Sequence, residues 1–343
     1  MNSVAVYRQS TLPARIEGDR HAHQQRTVLR QKPFEPVDWP SFKQDCEHQR
    51  APSAIIDIYE LTLPGDEPEL QQVALLEGLR RICTIYPYKD LQWVVAMLFF
   101  VSSLIFAIRS FFILVPTVLV KTALDDGIKV GFPVITAIGA SVLLISNNLT
   151  VLAAFNINRG IKAETHDVEK KGQSLSEGYH PALLGSREWT WWPSFAELKS
   201  DFVPNAAFQA GILSMFGVWS LIFSAIAGIP GILPDPSAPS NLLRFQHIVV
   251  VPQIMGGTIL ALAAWWLMML TQSHWFKPAF FSLAWTSSFL NMLGAVLVSV
   301  SGVITLTSPD SKMPSALSNV AGAWLLLLAS YIQLHMVMAF YPR

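Results

Sequence analysis

The chain has 343 residues, no net charge, 52% hydrophobic residues and 14% charged residues. A soluble domain carries roughly 25% charged residues, so this composition excludes an ordinary water-soluble globule. The neutral balance also removes the basic footprint that nucleic-acid binding needs, and no nucleic-acid partner is expected.

The charge is unevenly spread. Residues 1–90 are rich in Arg, Asp, Glu and Pro, and the rest is poor in charge. Residues 1–50 show little apolar periodicity and read as disordered. Residues 53–63 read as a short strand or an extended segment. A helix is then predicted over about 67–85. Asp66 can cap it, Pro68 suits its first turn, and Glu69 stands three residues after the cap. Leu70, Val73, Leu76, Leu79 and Ile82 follow at helical spacing, and Pro87 stops the helix. Its stripe fits a juxtamembrane helix packed on the membrane surface or the loops, or alternatively a partner or lipid contact. Cys46 and Cys83 have no metal or redox spacing and read as reduced thiols on a cytosolic face.

Six apolar stretches follow: Leu91–Val115, Phe132–Phe155, Ala206–Gly228, Ile248–Thr271, Phe280–Thr305 and Ala316–Phe340. Each can cross a hydrocarbon core of about 30 Å at 1.5 Å per residue. The expected fold is an all-α membrane protein. A six-helix transmembrane domain spans 91–343, a partly disordered cytoplasmic region spans 1–90, and the lipid bilayer is the partner. No apolar run near Met1 marks a signal peptide, so the first span is expected to act as the anchor. Six crossings put both termini on one side, and the positive-inside rule makes it the cytoplasm. Arg80, Arg81, Lys89 and the arginines of 1–50 lie there, as do Arg159, Lys162, Lys170, Lys171, Arg187 and Lys199 in a long loop at 157–205. The other side carries Lys121, Lys129, Arg244 and Lys312. Asn148-Leu149-Thr150 falls inside a span, so no N-glycan is expected on it.

In the long loop, Ser194 and Glu197 have capping-box spacing. Trp189, Trp191 and Trp192 just precede them. They read as membrane-interface anchors, or alternatively as an aromatic cradle for a lipophilic ligand.

Arg109 is the ionisable residue inside a span. It stands about 18 residues into the first, where its head can snorkel, pair with Asp125 or Asp126, or hold an anionic ligand. Polar uncharged residues recur at depth: Asn147, Asn148 and Thr150 in the second span, Gln209 opening the third, Gln253 in the fourth, Asn291 in the fifth and Gln333 in the sixth. Such groups bond across helix interfaces for about 0.6–2 kcal/mol each, or contact a ligand. Asn147, Asn148, Gln253, Asn291 and Arg109 are the candidate ligand-binding residues. Gly139-Ala140, Gly256-Gly257, Gly294-Ala295 and Gly322-Ala323 offer small faces for close helix contact. Pro252 can open the fourth helix and free a carbonyl.

The chain has no GxSxG elbow, HExxH, P-loop or GxGxxG. His166, His180, His274 and His335 fall on one side without motif spacing, so no metal and no cofactor are expected.

From Tyr86 onward the chain resembles a family of fungal polytopic integral membrane proteins of unassigned activity. The carrying residues are Tyr86-Pro-Tyr-Lys-Asp90, Phe111-Phe-Ile-Leu-Val-Pro116, Ile138-Gly-Ala140, Asn156-Ile-Asn-Arg159, Trp189-Thr-Trp-Trp-Pro-Ser194 with Glu197-Leu198, Ile229-Pro-Gly-Ile232, Pro252-Gln-Ile-Met-Gly-Gly257, Thr271-Gln272 with Trp275 and Pro278, Asn291 with Gly294-Ala295, and Gly322 with Trp324 and Gln333. Relatives commonly carry carboxylates where this chain has Leu144, Ala153, Leu270 and Met336, and a histidine where it has Thr286. The resemblance implies no established activity. Genes of this kind occur beside fungal secondary-metabolite enzymes, which implies a pathway-linked role.

The leading functional expectation is a non-enzymatic membrane protein that binds or moves a lipophilic small molecule, or organises partners at a fungal membrane. One alternative is a membrane-embedded cyclase or isomerase acting on an apolar intermediate. It would need a general acid from the interfacial histidines or from Glu197. Another is a structural subunit without activity.

Overall fold

The computed structural model describes residues 78–118, 125–157, 159, 182–234, 239–272, 274–280, 282–308 and 310–339. Of the expected N-terminal region, residues 1–77 lie outside the described residues, as do Cys46, His166 and His180. The helix predicted over 67–85 is seen as its last turns, 78–84, ending ahead of Pro87 as expected.

Six long helices form the body of the fold: α1 Leu91–Val118, α2 Asp125–Asn156, α3 Ala206–Ala227, α4 Val251–Leu270, α5 Leu283–Thr307 and α6 Lys312–Ala339. All six are long and apolar enough to span a membrane. Among the described residues there is no β-strand. The helix starts are set by caps. The Gln92 N–H donates to Asp90 Oδ1 at 2.9 Å ahead of α1. Asn205 Oδ1 accepts from the N–H groups of Ala207 and Phe208 at α3. Ser282 Oγ accepts from the Trp285 N–H at α5. Each cap satisfies donors that the first helical turn leaves without a partner.

Pro252 lies in the first turn of α4, directly after a π-helical turn. The helical path starts earlier, at Pro239–Phe245, and passes through a π-helical turn, Gln246–Val250, before α4. A proline ring clashes with the carbonyl one turn back, and a π turn is a common way to absorb such a defect. The carbonyls of Val249 and Pro252 accept from Ser224 Oγ at 2.7 Å and Ser220 Oγ at 2.8 Å, both on α3. Backbone acceptors at bilayer depth are thus satisfied by a neighbouring helix.

The helices close into a ring. α1 packs on α2, α2 on α3, α3 on α4, α4 on α5, α5 on α6, and α6 back on α1. Neighbours run antiparallel, as the registers show. Ser102 Oγ donates to the Gly139 carbonyl at 2.9 Å, and Ser146 Oγ to that of Val95 at 3.1 Å. Ser287 Oγ donates to the Ala329 carbonyl at 3.0 Å, and Ser318 Oγ to that of Leu297 at 2.8 Å. Small hydroxyls stitch the hairpins because lipid gives no hydrophobic drive between helices, leaving packing and polar contacts to do it. The α6–α1 seam is aromatic instead: Phe100 meets Tyr331 at 6.4 Å and Phe111 meets Trp324 at 6.2 Å between ring centres.

The outer surface of the ring is apolar. On α1 the exposed residues include Val101, Leu104, Ile108 and Phe111, and on α3 Phe216, Trp219, Phe223 and Ile226. These follow one helical face. A soluble protein does not carry so large a continuous apolar surface; a bilayer is the solvent that suits it.

Candidate functional site: a cavity at the centre of the ring

The ring surrounds a partly open cavity with about 90 Å³ of room for the centres of water-sized spheres. All six helices line it, each with one face. α1 contributes Phe99, Ser102, Ser103, Phe106 and Arg109; α3 contributes Leu221, Ser224 and Ala225. The other four helices each contribute residues at i, i+4 and i+7, the spacing of a single helical face. These are Thr136, Ala140 and Leu143 on α2, and Gln253, Gly257 and Leu260 on α4. They are Asn291, Ala295 and Val298 on α5, and Asn319, Ala323 and Leu326 on α6.

Every one of those four triplets reads polar, small, aliphatic. α2, α4 and α6 run in one direction, so Thr136, Gln253 and Asn319 all lie toward the same end of the cavity. α5 runs the other way, which places Asn291 toward the opposite end. The middle is small or aliphatic. The small residues Ala140, Ala295 and Ala323 leave the room, because a larger side chain there would fill it, and Gly257 lets Ser299 of α5 pack close.

Arg109 is the charged residue of the lining. Snorkelling does not describe it. Its side chain is 8% exposed. The Nε–H donates to Thr136 Oγ1 at 2.7 Å, and the guanidinium lies 4.6 Å from the centre of the Phe132 ring. Thr136 is held in turn, donating to the Phe132 carbonyl at 2.7 Å. The side chain is therefore drawn inward by a hydrogen bond and a cation–π contact. The side chains of Asp125 and Asp126 lie outside the described residues.

Two lining amides carry polar atoms without partners. Among the described residues, Asn291, 1% exposed, finds no hydrogen-bond partner through Oδ1 or Nδ2, and Asn319, 2% exposed, finds none through Oδ1. A buried amide left unsatisfied costs about 1–3 kcal/mol, so this arrangement is not explained by folding energetics.

Of the five candidate ligand-binding residues, Arg109, Gln253 and Asn291 line the cavity. Asn147 and Asn148 do not. Asn147 is buried; its Nδ2 donates to the Leu143 carbonyl at 3.0 Å and its Oδ1 accepts from Ser214 Oγ at 2.9 Å, a bond between α2 and α3. Asn148 faces outward and its Nδ2 donates to the Leu144 carbonyl of its own helix at 2.8 Å. Residue-by-residue reading passed over Thr136, Ser102, Ser103 and Asn319. Asn319 precedes Gly322-Ala323 by less than a turn, so the i, i+4, i+7 pattern shared with α2 and α4 was the available signal.

At one end of the ring the segment 182–202 packs on α1, α2 and α3. The Asn156 amide grips it: Nδ2 donates to the Thr190 carbonyl at 2.8 Å, and Oδ1 accepts from the Thr190 N–H at 2.9 Å. Leu184 N–H donates to the Lys89 carbonyl at 2.9 Å. Ser194 caps the short helix Phe195–Glu197 through the Glu197 N–H, as its spacing predicted. The Glu197 carboxylate does not complete the capping box; it pairs with Arg159. The indoles divide. Trp189 is half-buried against the loop core, whereas Trp191 and Trp192 are 67% and 70% exposed. His274 is exposed and stacks on Phe276, and His335 is buried near the end of α6. Among the described residues no three His, Cys, Asp or Glu side chains converge.

The fold and composition define a multi-pass membrane protein built as a closed ring of six helices. No protein-family model, curated protein or solved structure matches the chain.

Proposed function

We propose that this protein binds a small molecule with an apolar body inside its helix ring, and that binding or passage of that molecule is its function. The observation that carries the reading is the central cavity in which Asn291 and Asn319 hold out polar atoms that find no hydrogen-bond partner among the described residues. Ligand pockets commonly combine an apolar lining with a few convergent polar groups, and this cavity has that make-up. Arg109 is the ionisable lining residue, and a guanidinium stays protonated at neutral pH. The lining therefore supplies hydrogen bonds and a fixed positive charge rather than a proton-transfer pair, which favours binding over acid–base chemistry.

Three finer points belong to the same proposal. The Lys and Arg distribution favours cytoplasmic termini. Exposed Trp191 and Trp192 suit the headgroup region at that side. The fungal membrane and the secondary-metabolite link follow from the resemblance at Tyr86 and beyond.

The test is ligand-dependent thermal stabilisation of the purified full-length chain in lipid nanodiscs, across a panel of neutral and charged apolar molecules. A ligand of the folded state raises the melting temperature in proportion to the logarithm of its concentration. The shift is expected in the native protein and absent in Ala323→Leu, whose added carbons occupy the cavity. A panel without any saturable, Ala323-sensitive shift would rule the reading out.

A further inference from the structure

We infer that the cavity selects a monocarboxylate with an apolar chain, its carboxylate seated on Arg109; this rests on the ligand-binding reading above. Arg109 stands nine residues before the end of α1, about 13 Å in at 1.5 Å per residue. A positive charge at that depth is costly unless it is compensated. The protein compensates it in part, with the Thr136 hydroxyl and the Phe132 ring. Both are uncharged, and among the described residues no carboxylate lines the cavity. Among the described residues, only the Nε–H of Arg109 finds a hydrogen-bond acceptor. Its terminal nitrogens are left for a ligand.

A guanidinium presents its remaining donors as a planar fork that matches the two oxygens of a carboxylate. The side chain is already held by Thr136 and Phe132, so little freedom is lost when an anion docks. Asn319 lies toward the same end and adds an amide to the polar seat. Below it, Leu143, Leu260 and Leu326 supply the apolar wall that a hydrocarbon chain needs. A cation would meet Arg109 head-on, and a neutral alcohol would leave the fork half used. The anion is therefore the ligand that the charge, the geometry and the lining select together.

The experiment measures saturable binding of radiolabelled octanoate and octanol to the full-length protein in neutral-lipid nanodiscs, with empty nanodiscs subtracted. Octylammonium and butyrate serve as competitors. Octanoate is expected to bind at least about tenfold more tightly than octanol, the scale of one charge-assisted hydrogen-bond pair, and octylammonium is expected not to compete. Arg109→Gln should reduce octanoate to the level of octanol and leave octanol unchanged. Arg109→Lys, which keeps the charge and loses the fork, should fall between. Competition by butyrate points to a carboxylate taken from water, and competition by octanoate alone to one taken from the bilayer; either supports the assignment. Equal binding of octanoate and octanol, or competition by octylammonium, overturns the anion assignment while the cavity reading survives. This ranking on the native protein decides the matter even if Arg109→Gln fails to fold. Absence of saturable binding by both probes overturns the cavity reading as well.

Discussion

Gly294 of α5 and Gly322 of α6 sit backbone to backbone. A Cβ placed on Gly294 would lie 2.9 Å from the Gly322 carbonyl oxygen, and one on Gly322 would lie 2.8 Å from that of Gly294. Gly217 of α3 and Gly256 of α4 repeat the arrangement, with corresponding approaches of 3.0 and 2.7 Å. Two of the three antiparallel hairpins are thus set by a reciprocal glycine contact, and the third by Ser102 on the Gly139 carbonyl. Close crossings hold the ring at the radius that leaves the cavity.

Gly294→Ala and Gly256→Ala are each expected to lower stability by about 1–3 kcal/mol, because the backbone they meet cannot turn away. Gly131→Ala is the control. Nothing lies within 4 Å of its Cβ position in α2, so it should be neutral or stabilise by up to about 1 kcal/mol. Reversible unfolding in bicelles, read by tryptophan fluorescence, compares the three.

Replacing Asn291 by leucine separates function from stability. The amide is buried with neither polar atom bonded, and removing an unsatisfied group by a side chain of similar size is neutral or stabilising. Asn291→Leu should therefore keep or raise the unfolding temperature while weakening ligand binding. A clear loss of stability would mean that the amide is satisfied in the membrane and has a structural role.

The adjacent pair Asn147 and Asn148 should behave oppositely. Asn147→Ala breaks the Ser214 bond between α2 and α3 and is expected to cost about 0.6–2 kcal/mol. Asn148→Ala touches an outward-facing amide bonded to its own helix, and should change neither stability nor binding. Unfolding curves and the nanodisc assay test both.

Asn156→Leu should loosen one end of the ring without melting it. The substitution removes both bonds to Thr190, at about 1–3 kcal/mol for the buried groups left behind. Hydrogen exchange of 182–194 is expected to rise, while exchange within α1–α6 stays at native level. Unchanged exchange in that segment would show that Arg159–Glu197 and the aromatic contacts of Phe155 suffice to hold it.

Much of the fold was legible from hydropathy. The six expected spans overlap the six helices closely, with Leu91 and Ala206 as starts in both. The largest difference lies ahead of α4, where the helical path begins at Pro239 rather than Ile248. The site was less legible. Arg109, Gln253 and Asn291 were singled out as rare polar groups at depth. Their neighbours Asn319 and Thr136 were not, since each stands close enough to a span end to pass for an interfacial residue.

By itself, the sequence determined that the chain lives in lipid and how many helices are long and apolar enough to cross it. A hydrocarbon solvent demands about 20 consecutive apolar residues in a self-bonded helix, and that demand is written along the chain. Only the tertiary structure decided which face of each helix turns inward. A helix that is apolar all round carries no stripe to mark its buried side, so Asn147, Asn148 and Asn291 look alike until their neighbours are in place. Packing of the six helices into a ring made Asn147 a hydrogen-bonded link between α2 and α3, left Asn148 on the outer face, and placed Asn291 on the lining of the central cavity.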